Sequence, residues 1–361
     1  MRQRAKGLPL SLALLIFVSA TAGSVFTAKA QEANQAQVVV YVSHDRSFSQ
    51  PVLQAFEEKT GITVHAVHDT EETKGSALIE RLIAEKPAPK ADVYWANAPI
   101  RAELLKREGV SAPYLSPNAG DIEARWRDPE GYWTGFAARA RVLLVGAGVA
   151  PVPASILAYT DPRWRSRSVI AHPRHGTTAE HLAALFVLWG DARGRQFLEK
   201  MRTNGVRVTP GNIHSARLVA DGLADFALVD TDDALAMIEA GKPVRMIWPD
   251  QSPDGLGVFI VPNAAVLIAG APHPAAARKL IDFLLSREAE EMLAKSPAHQ
   301  IPLHPNVAPP EGMRSLDQLH VMPIDYAAVA HKLKVIRPLL EEWAASTPSI
   351  ANDSIRTGQH H

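Results

Sequence analysis

Asp225-Phe226-Ala227-Leu228-Val229-Asp230-Thr231-Asp232-Asp233-Ala234-Leu235 is the stretch on which the reading of this chain turns. Phe226 to Val229 has the length and bulk of a buried strand. Three carboxylates and a threonine follow, and then a helical pattern (Leu235, Ile238, Glu239) that stops at Gly241. This is a strand-to-helix junction with its acids at the carboxyl end of the strand, where open α/β sheets hold ligands. Thr231 or Asp232 is expected to cap the helix, with the next acid favoured by the helix dipole. Three acids in four positions exceed what a cap needs, which makes Asp230 and Asp232 candidate ligand groups.

The same alternation runs outward from this junction. Upstream, Val38–Val42 reads as a strand, followed by a helix from about Gln50 with Ser49 as N-cap, Pro51 in its first turn and Gly61 past its end. Ile62–Val67 and Asp92–Trp95 are further strands. Between them lie a polar loop at Asp69–Lys74 and a helix around Leu82, and a helix ending at Gly109 follows. Short connections between alternating strands and helices predict a parallel α/β sheet. Ala112–Trp133 reads as an irregular surface segment. Gly135–Val145 is an apolar strand carrying Arg139 and Arg141 two apart, hence on one face. Strands at Val169–Ala171 and Val206–Val208, with helices from Thr178 to Trp189 and from Asp191 to Gly205, lead back to the acidic junction. Downstream come strands at Val244–Trp248, Gly257–Val261 and Ala264–Ile268, a helix from Pro274, and a helical stretch over Asp325–Ala345 interrupted before Pro338. The tail from Ser346 is polar and reads as disordered.

The chain has 361 residues, with 38 basic and 38 acidic side chains and no cysteine. Arg2, Arg4 and Lys6, an apolar run Leu12–Val18 and the small-residue site Ala28-Lys29-Ala30 form an export signal over residues 1–30. The run is too short and too broken by Ser and Gly for a membrane span. Without cysteine there is neither lipid anchorage nor a disulfide, so a periplasmic address is expected. Removing the signal deletes four of the 38 basic groups and none of the 38 acidic ones, a balance of about −4 that disfavours nucleic-acid and anionic-membrane partners.

Several stretches resemble one family. Val39-Val40-Tyr41-Val42-Ser43 with Phe56-Glu57-Glu58-Lys59-Thr60-Gly61-Ile62-Thr63-Val64 is similar to the opening of periplasmic substrate-binding proteins of ABC importers, ferric-iron-binding type. Leu157–Arg165 and His172–Thr178 resemble its middle, and Pro274–Ala276 with Lys279–Ser286 its late helix. The resemblance implies an α/β, two-lobed periplasmic-binding-protein fold (type II), with the ligand cleft between lobes joined by crossover strands. Lobe 1 would be 37–138 plus 260–310 and lobe 2 would be 139–259, followed by a C-terminal helical segment 311–345 and the tail 346–361. Arg139–Val145 and Gly257–Val261 would be the crossovers. The resemblance further implies a monomer that captures a small ligand by lobe closure and delivers it to a permease and ATPase. It requires no cofactor; Fe3+ is the transported ligand.

That family holds iron mainly through two adjacent tyrosines. Here the six tyrosines (Tyr41, Tyr94, Tyr114, Tyr132, Tyr159, Tyr326) include no adjacent pair, and Asp230-Thr231-Asp232-Asp233 stands where the pair is expected. Carboxylates are hard donors for Fe3+ and for other hard cations; they also pair with an ammonium. The readings are therefore a ferric-iron binder using a synergistic anion, an aminophosphonate binder, or a metal-dependent periplasmic hydrolase. No His-Glu-x-x-His, Gly-x-Ser-x-Gly or phosphate-loop signature accompanies the last, and a non-enzymatic protein is expected. Arg139 is the candidate anion clamp, since an arginine on an apolar strand needs a partner. Thr177 and Thr178 open a helix whose free N–H groups suit an anion, or simply cap it. His44 and Asp45 follow the first strand and Asn97 the third, at ligand-holding ends; an ordinary polar loop serves His44 and Asp45 equally.

Overall fold

The computed structural model describes residues 37–69, 77–174 and 176–350. The expected export signal, most of the polar loop at Asp69–Lys74, His175 and the end of the tail lie outside the described residues.

Strand β1 (Gln37–Val42) is parallel to β2 (Thr63–His68) on one side and β3 (Val93–Ala96) on the other. Val38, Val40, Tyr41 and Val42 are fully buried, as an apolar run in a doubly covered parallel sheet must be. Helices α1 (Arg46–Thr60), α2 (Ala77–Ala84) and α3 (Pro99–Arg107) alternate with these strands, and a two-residue β4 (Ser111–Ala112) follows. The 13-residue β5 (Thr134–Gly146) then leads into β6 (Ser168–Ala171), α4 (Gly176–Thr203), β7 (Arg207–Thr209), α5 (Asn212–Ala220), β8 (Phe226–Asp230), α6 (Thr231–Glu239) and β9 (Val244–Ile247). Strand β10 (Ile260–Ile268), α7 (Pro274–Leu284), α8 (Arg287–Lys295) and α9 (Tyr326–Ala345) complete the fold.

The strand order is β2-β1-β3-β10-β5-β8-β6-β7. The sheet is mixed and not purely parallel, because β10 is antiparallel to β3 and β5, and β5 is antiparallel to β8 and β9. Strand β5 is the shared element. Its first half pairs with β10 and its second half with β8 and β9, so it passes from one group of strands to the other. In each group the chain reverses its direction of travel across the sheet, between β1 and β3 and again between β6 and β8. Such reversals open crevices at the carboxyl ends of the strands. His44, Asp45 and Asn97 stand at the first reversal, and Thr177, Thr178, Asp230 and Asp232 at the second.

Five local expectations are corrected. Helix α1 starts at Arg46, with Asp45 at its N-cap, while Ser49 is a buried interior residue whose hydroxyl donates to the Asp45 carbonyl at 3.1 Å and lies 3.0 Å from His68 Nε2. Gly257–Val261 and Ala264–Ile268 are not two strands; β10 is one, with a register shift at Pro262/Asn263 where the Asn263 amide bonds the Ala137 carbonyl at 2.5 Å. The Ala112–Trp133 segment is not confined to the surface: Trp126 and Trp133 are buried against Tyr326, and the Trp133 indole donates to Glu103 at 2.8 Å. Helix α9 runs through Pro338 without a break. A proline removes one backbone bond, and buried Leu333, Ile336, Leu340 and Trp343 hold the two sides in line. Finally, the start of the tail is ordered. Val208 N donates to the Pro348 carbonyl at 2.7 Å and Ile350 N to the Val208 carbonyl at 2.8 Å, because β7 would otherwise leave an unpaired edge.

Candidate functional site

Arg141 and Asp230 are direct partners in the antiparallel pairing of β5 with β8, which sets their side chains facing each other. The Arg141 guanidinium is fully buried. It donates to Asp230 Oδ1 (2.7 Å), Thr177 Oγ1 (3.0 Å), Thr178 Oγ1 (3.0 Å) and the Leu228 carbonyl (3.1 Å). Thr177 in turn donates to Asp230 Oδ2 at 3.0 Å and accepts from the Asn212 amide at 3.1 Å. A buried ion pair persists only when most of its remaining polar atoms are satisfied in this way; here Arg141 Nε is left without a partner among the described residues. The network pins β5, β8 and the first turn of α4 together.

Arg139, two residues back on the same face, is engaged differently. Its Nη2 donates to the Asn97 carbonyl at 2.5 Å, and its Nη1 lies 3.6 Å from Asp230 Oδ2. The guanidinium thus touches the junction after β3 and the junction after β8, one on each side of β5. Burial opposes its charge, but Asp230, Asp232, Glu180 and Asp233 outweigh that and hold it firmly protonated. Its Nε has no hydrogen-bond partner among the described residues.

Asp230 occupies the N-cap position of α6, yet its own side chain makes no cap hydrogen bond. Thr231 Oγ1 accepts from Ala140 N at 3.3 Å, and Asp232 accepts from its neighbour Asp233 N at 3.1 Å. The expected Thr231 or Asp232 cap is therefore absent, since Thr231 is buried and turned to β5 while Asp232 faces the cleft. One oxygen from each of Asp230, Asp232 and Asp233 falls within 4.8 Å of the others. Burial pushes the Asp232 carboxyl up to about 6, with Arg139 opposing and Asp230 adding to the rise. Burial, and then the charges of Asp232 and Asp230, push Asp233 well above the usual carboxylate range. Only Asp230 has its charge matched, by Arg141. The other two form a group that gains from an arriving cation, be it a metal ion or an ammonium.

These groups line a cleft of about 650 Å3. His44, Asp45, Asn97, Arg139, Thr177, Thr178, Asp230 and Asp232, the eight positions singled out in the sequence, all border it. Their availability differs. The Thr177 and Thr178 hydroxyls are committed to Arg141, so the amides of that first helical turn are what α4 offers an anion. His44 is buried, with Nε2 2.8 Å from the Gln300 amide nitrogen and its ring against Phe48 and Trp95. Sequence reasoning passed over Arg101, Arg174, Glu180, Asn212 and His214, which also border the cleft. Arg101 lies in the first turn of the helix after β3 and Asn212 in the first turn after β7, so the strand-end rule that found Asn97 reaches them if extended by one turn. None of the six tyrosines is among the residues bordering the cleft.

The family of bacterial extracellular solute-binding proteins matches residues 38–296. The chain is 26% identical to Iron uptake protein A1 of Synechocystis over 275 residues, covering 73% of this chain and 74% of that one. It is 27% identical over 258 residues to a putative 2-aminoethylphosphonate-binding periplasmic protein of Salmonella paratyphi A, covering 70% and 73%. The crystal structure of iron-bound HitA from Pseudomonas aeruginosa superposes with a TM-score of 0.75 at 21% identity, covering 84% of this chain and 99% of that one. That likeness shows the fold, the two-lobed type II arrangement expected from the sequence. With the family match spanning most of its length, the chain belongs to the bacterial extracellular solute-binding proteins.

Proposed function

We propose that the protein is the periplasmic solute-binding component of an ABC importer, that it captures ferric iron or a related hard cation together with an anion, and that it delivers this cargo as a monomer to a permease and ATPase. The observation that carries the reading is the group of three carboxylates, Asp230, Asp232 and Asp233, gathered within 4.8 Å opposite Arg139. Hard oxygen donors suit a ferric ion, and Arg139 with the first turn of α4 suits the anion. The two lobes, 37–138 plus 260–310 and 139–259, close by rotation about β5 and the approach to β10. Relatives named for iron uptake and located in the periplasm support this. The cargo leaves chemically unchanged, so no turnover accompanies binding.

A second reading has its own observation. No tyrosine reaches the cleft, while an arginine and two unmatched aspartates face it. A small zwitterion with a phosphonate at one end and an amine at the other fits that layout without metal, in line with the aminophosphonate-binding relative. Calorimetric titration of chelator-treated protein with ferric citrate and with 2-aminoethylphosphonate chooses between them. Iron bound through carboxylates gives a complex without the strong phenolate-to-iron colour, and its affinity falls as pH drops through about 6, where Asp232 takes up its proton. Binding of neither compound would overturn both readings.

A further inference from the structure

Glu180 lies one helical turn beyond Thr177 on the same face of α4, at the i+3 position, and borders the cleft. It is 3% exposed. Its Oε2 is buried and has no hydrogen-bond partner among the described residues. Burial raises its pKa, opposed by the fields of Arg101 and Arg139 and reinforced by Asp230. A buried carboxyl oxygen left without a hydrogen-bond partner is destabilising. The neighbouring acid Asp230, equally buried, has three partners. A second acceptor in the same cleft is in the same position as Glu180: Asn97 Oδ1, on the opposite side of β5, is buried and has no hydrogen-bond partner.

We propose that Glu180 contacts the solute directly, accepting a hydrogen bond from an N–H or O–H group on it, and that the cargo is therefore a donor-bearing organic molecule or a metal ion carried by one. This rests on the reading of the cleft as the solute site and sharpens the class of solute. A ferric ion held by Asp230, Asp232 and Asp233 alone would leave Glu180 and Asn97 unsatisfied in a space of about 650 Å3, whereas an amine or hydroxyl supplies what both acceptors lack. Sites held ready for a ligand at the expense of the empty protein are where natural chains break their own rules of polar satisfaction.

The test has two arms. In the first, the empty protein and its Glu180→Gln and Glu180→Met variants are melted at neutral pH. A midpoint raised by several degrees in both variants is expected, because an orphaned buried carboxyl is removed. A lowered midpoint in both would show that Glu180 is structural and overturn the proposal. In the second, wild type and Glu180→Met are titrated with 2-aminoethylphosphonate, its N,N,N-trimethyl derivative and ferric citrate. The first donates through its ammonium and the third through water on the iron, whereas the second keeps the positive charge and has no N–H to donate. A loss of tenfold or more for whichever donating probe binds, with the trimethyl derivative within twofold of wild type, is expected. Equal loss for all probes, or none, overturns the proposal. If wild type binds none of the three, the functional reading fails, and the melting arm alone decides the role of Glu180.

Discussion

The first turn of α4 presents two neighbouring regions with opposite chemistry. On the β5/β8 side, Arg141, Asp230, Thr177, Thr178 and Asn212 bond one another within 3.4 Å, leaving Arg141 Nε over. On the cleft side, among the described residues, Glu180 Oε2 has no partner, Asp232 has only its neighbour's amide, and the Arg139 guanidinium makes one hydrogen bond and one longer ion pair. All are buried or nearly so, and all are polar. The difference teaches that burial and charge alone do not mark a binding residue. The satisfied set is a structural fixture that happens to border the cleft, and the unsatisfied set is what awaits a solute.

The sharpest way to break this contrast is Arg141→Met. It strands the Asp230 carboxylate without its main partner, and loss of one member of a buried pair typically costs about 3–5 kcal/mol. Chemical denaturation should show a loss of that size, and a change below about 1 kcal/mol would mean that the network is not structural. Arg139→Ala should behave in the opposite manner. Affinity for the solute should fall at least about tenfold, taking a charged hydrogen bond at roughly 1.5–3 kcal/mol, while the melting midpoint moves little. Unchanged affinity in a folded variant would place Arg139 with Arg141 as a fixture.

Asp232 sharpens the comparison through pH. Its folded pKa of about 6 lies above the ordinary 3.8, so the proton is held more tightly in the folded chain. Its contribution to stability is present below about pH 4 and is lost as pH rises through 6. Wild-type protein should therefore fall behind Asp232→Asn between those values and run parallel to it above them. Coincident stability curves across that interval would show that the carboxyl is not under strain. The smallest expected effect is Thr178→Val, which removes one acceptor from Arg141 and should cost about 1 kcal/mol with affinity unchanged. A marked loss of affinity there would extend the binding set into the network.

Much of this was legible in the sequence, for a physical reason. A strand that ends in polar groups before a helix must put them at the strand's carboxyl end, so His44, Asp45, Asn97, Thr177, Asp230 and Asp232 could be found from local pattern alone. Its place near the crossover singles out Arg139 as the clamp, but the role of Arg141 could not be read. Both lie on one face of β5, and only the register that sets Arg141 opposite Asp230 assigns one to the fixture and the other to the cleft. Glu180 escaped because Thr177-Thr178-Ala179-Glu180 has the spacing of a capping box, an explanation that looks sufficient until the threonine hydroxyls are seen to bond Arg141 and Asp230. The start of α1 at Arg46 and the passage of α9 through Pro338 were likewise hidden, since tertiary packing overrides a local stop signal.

The absence of a side-chain cap on α6 has a consequence for how such a protein diversifies. Strand β8 is anchored through Asp230, and Asp232 and Asp233 contribute to the framework only one local bond, from the Asp233 amide to Asp232 Oδ1 in the first turn of α6. Two adjacent positions at the mouth of a binding cleft are thereby left with little duty to the scaffold. Selection, or a randomised library at these two codons, can exchange one cargo chemistry for another while the framework beneath stays unaltered.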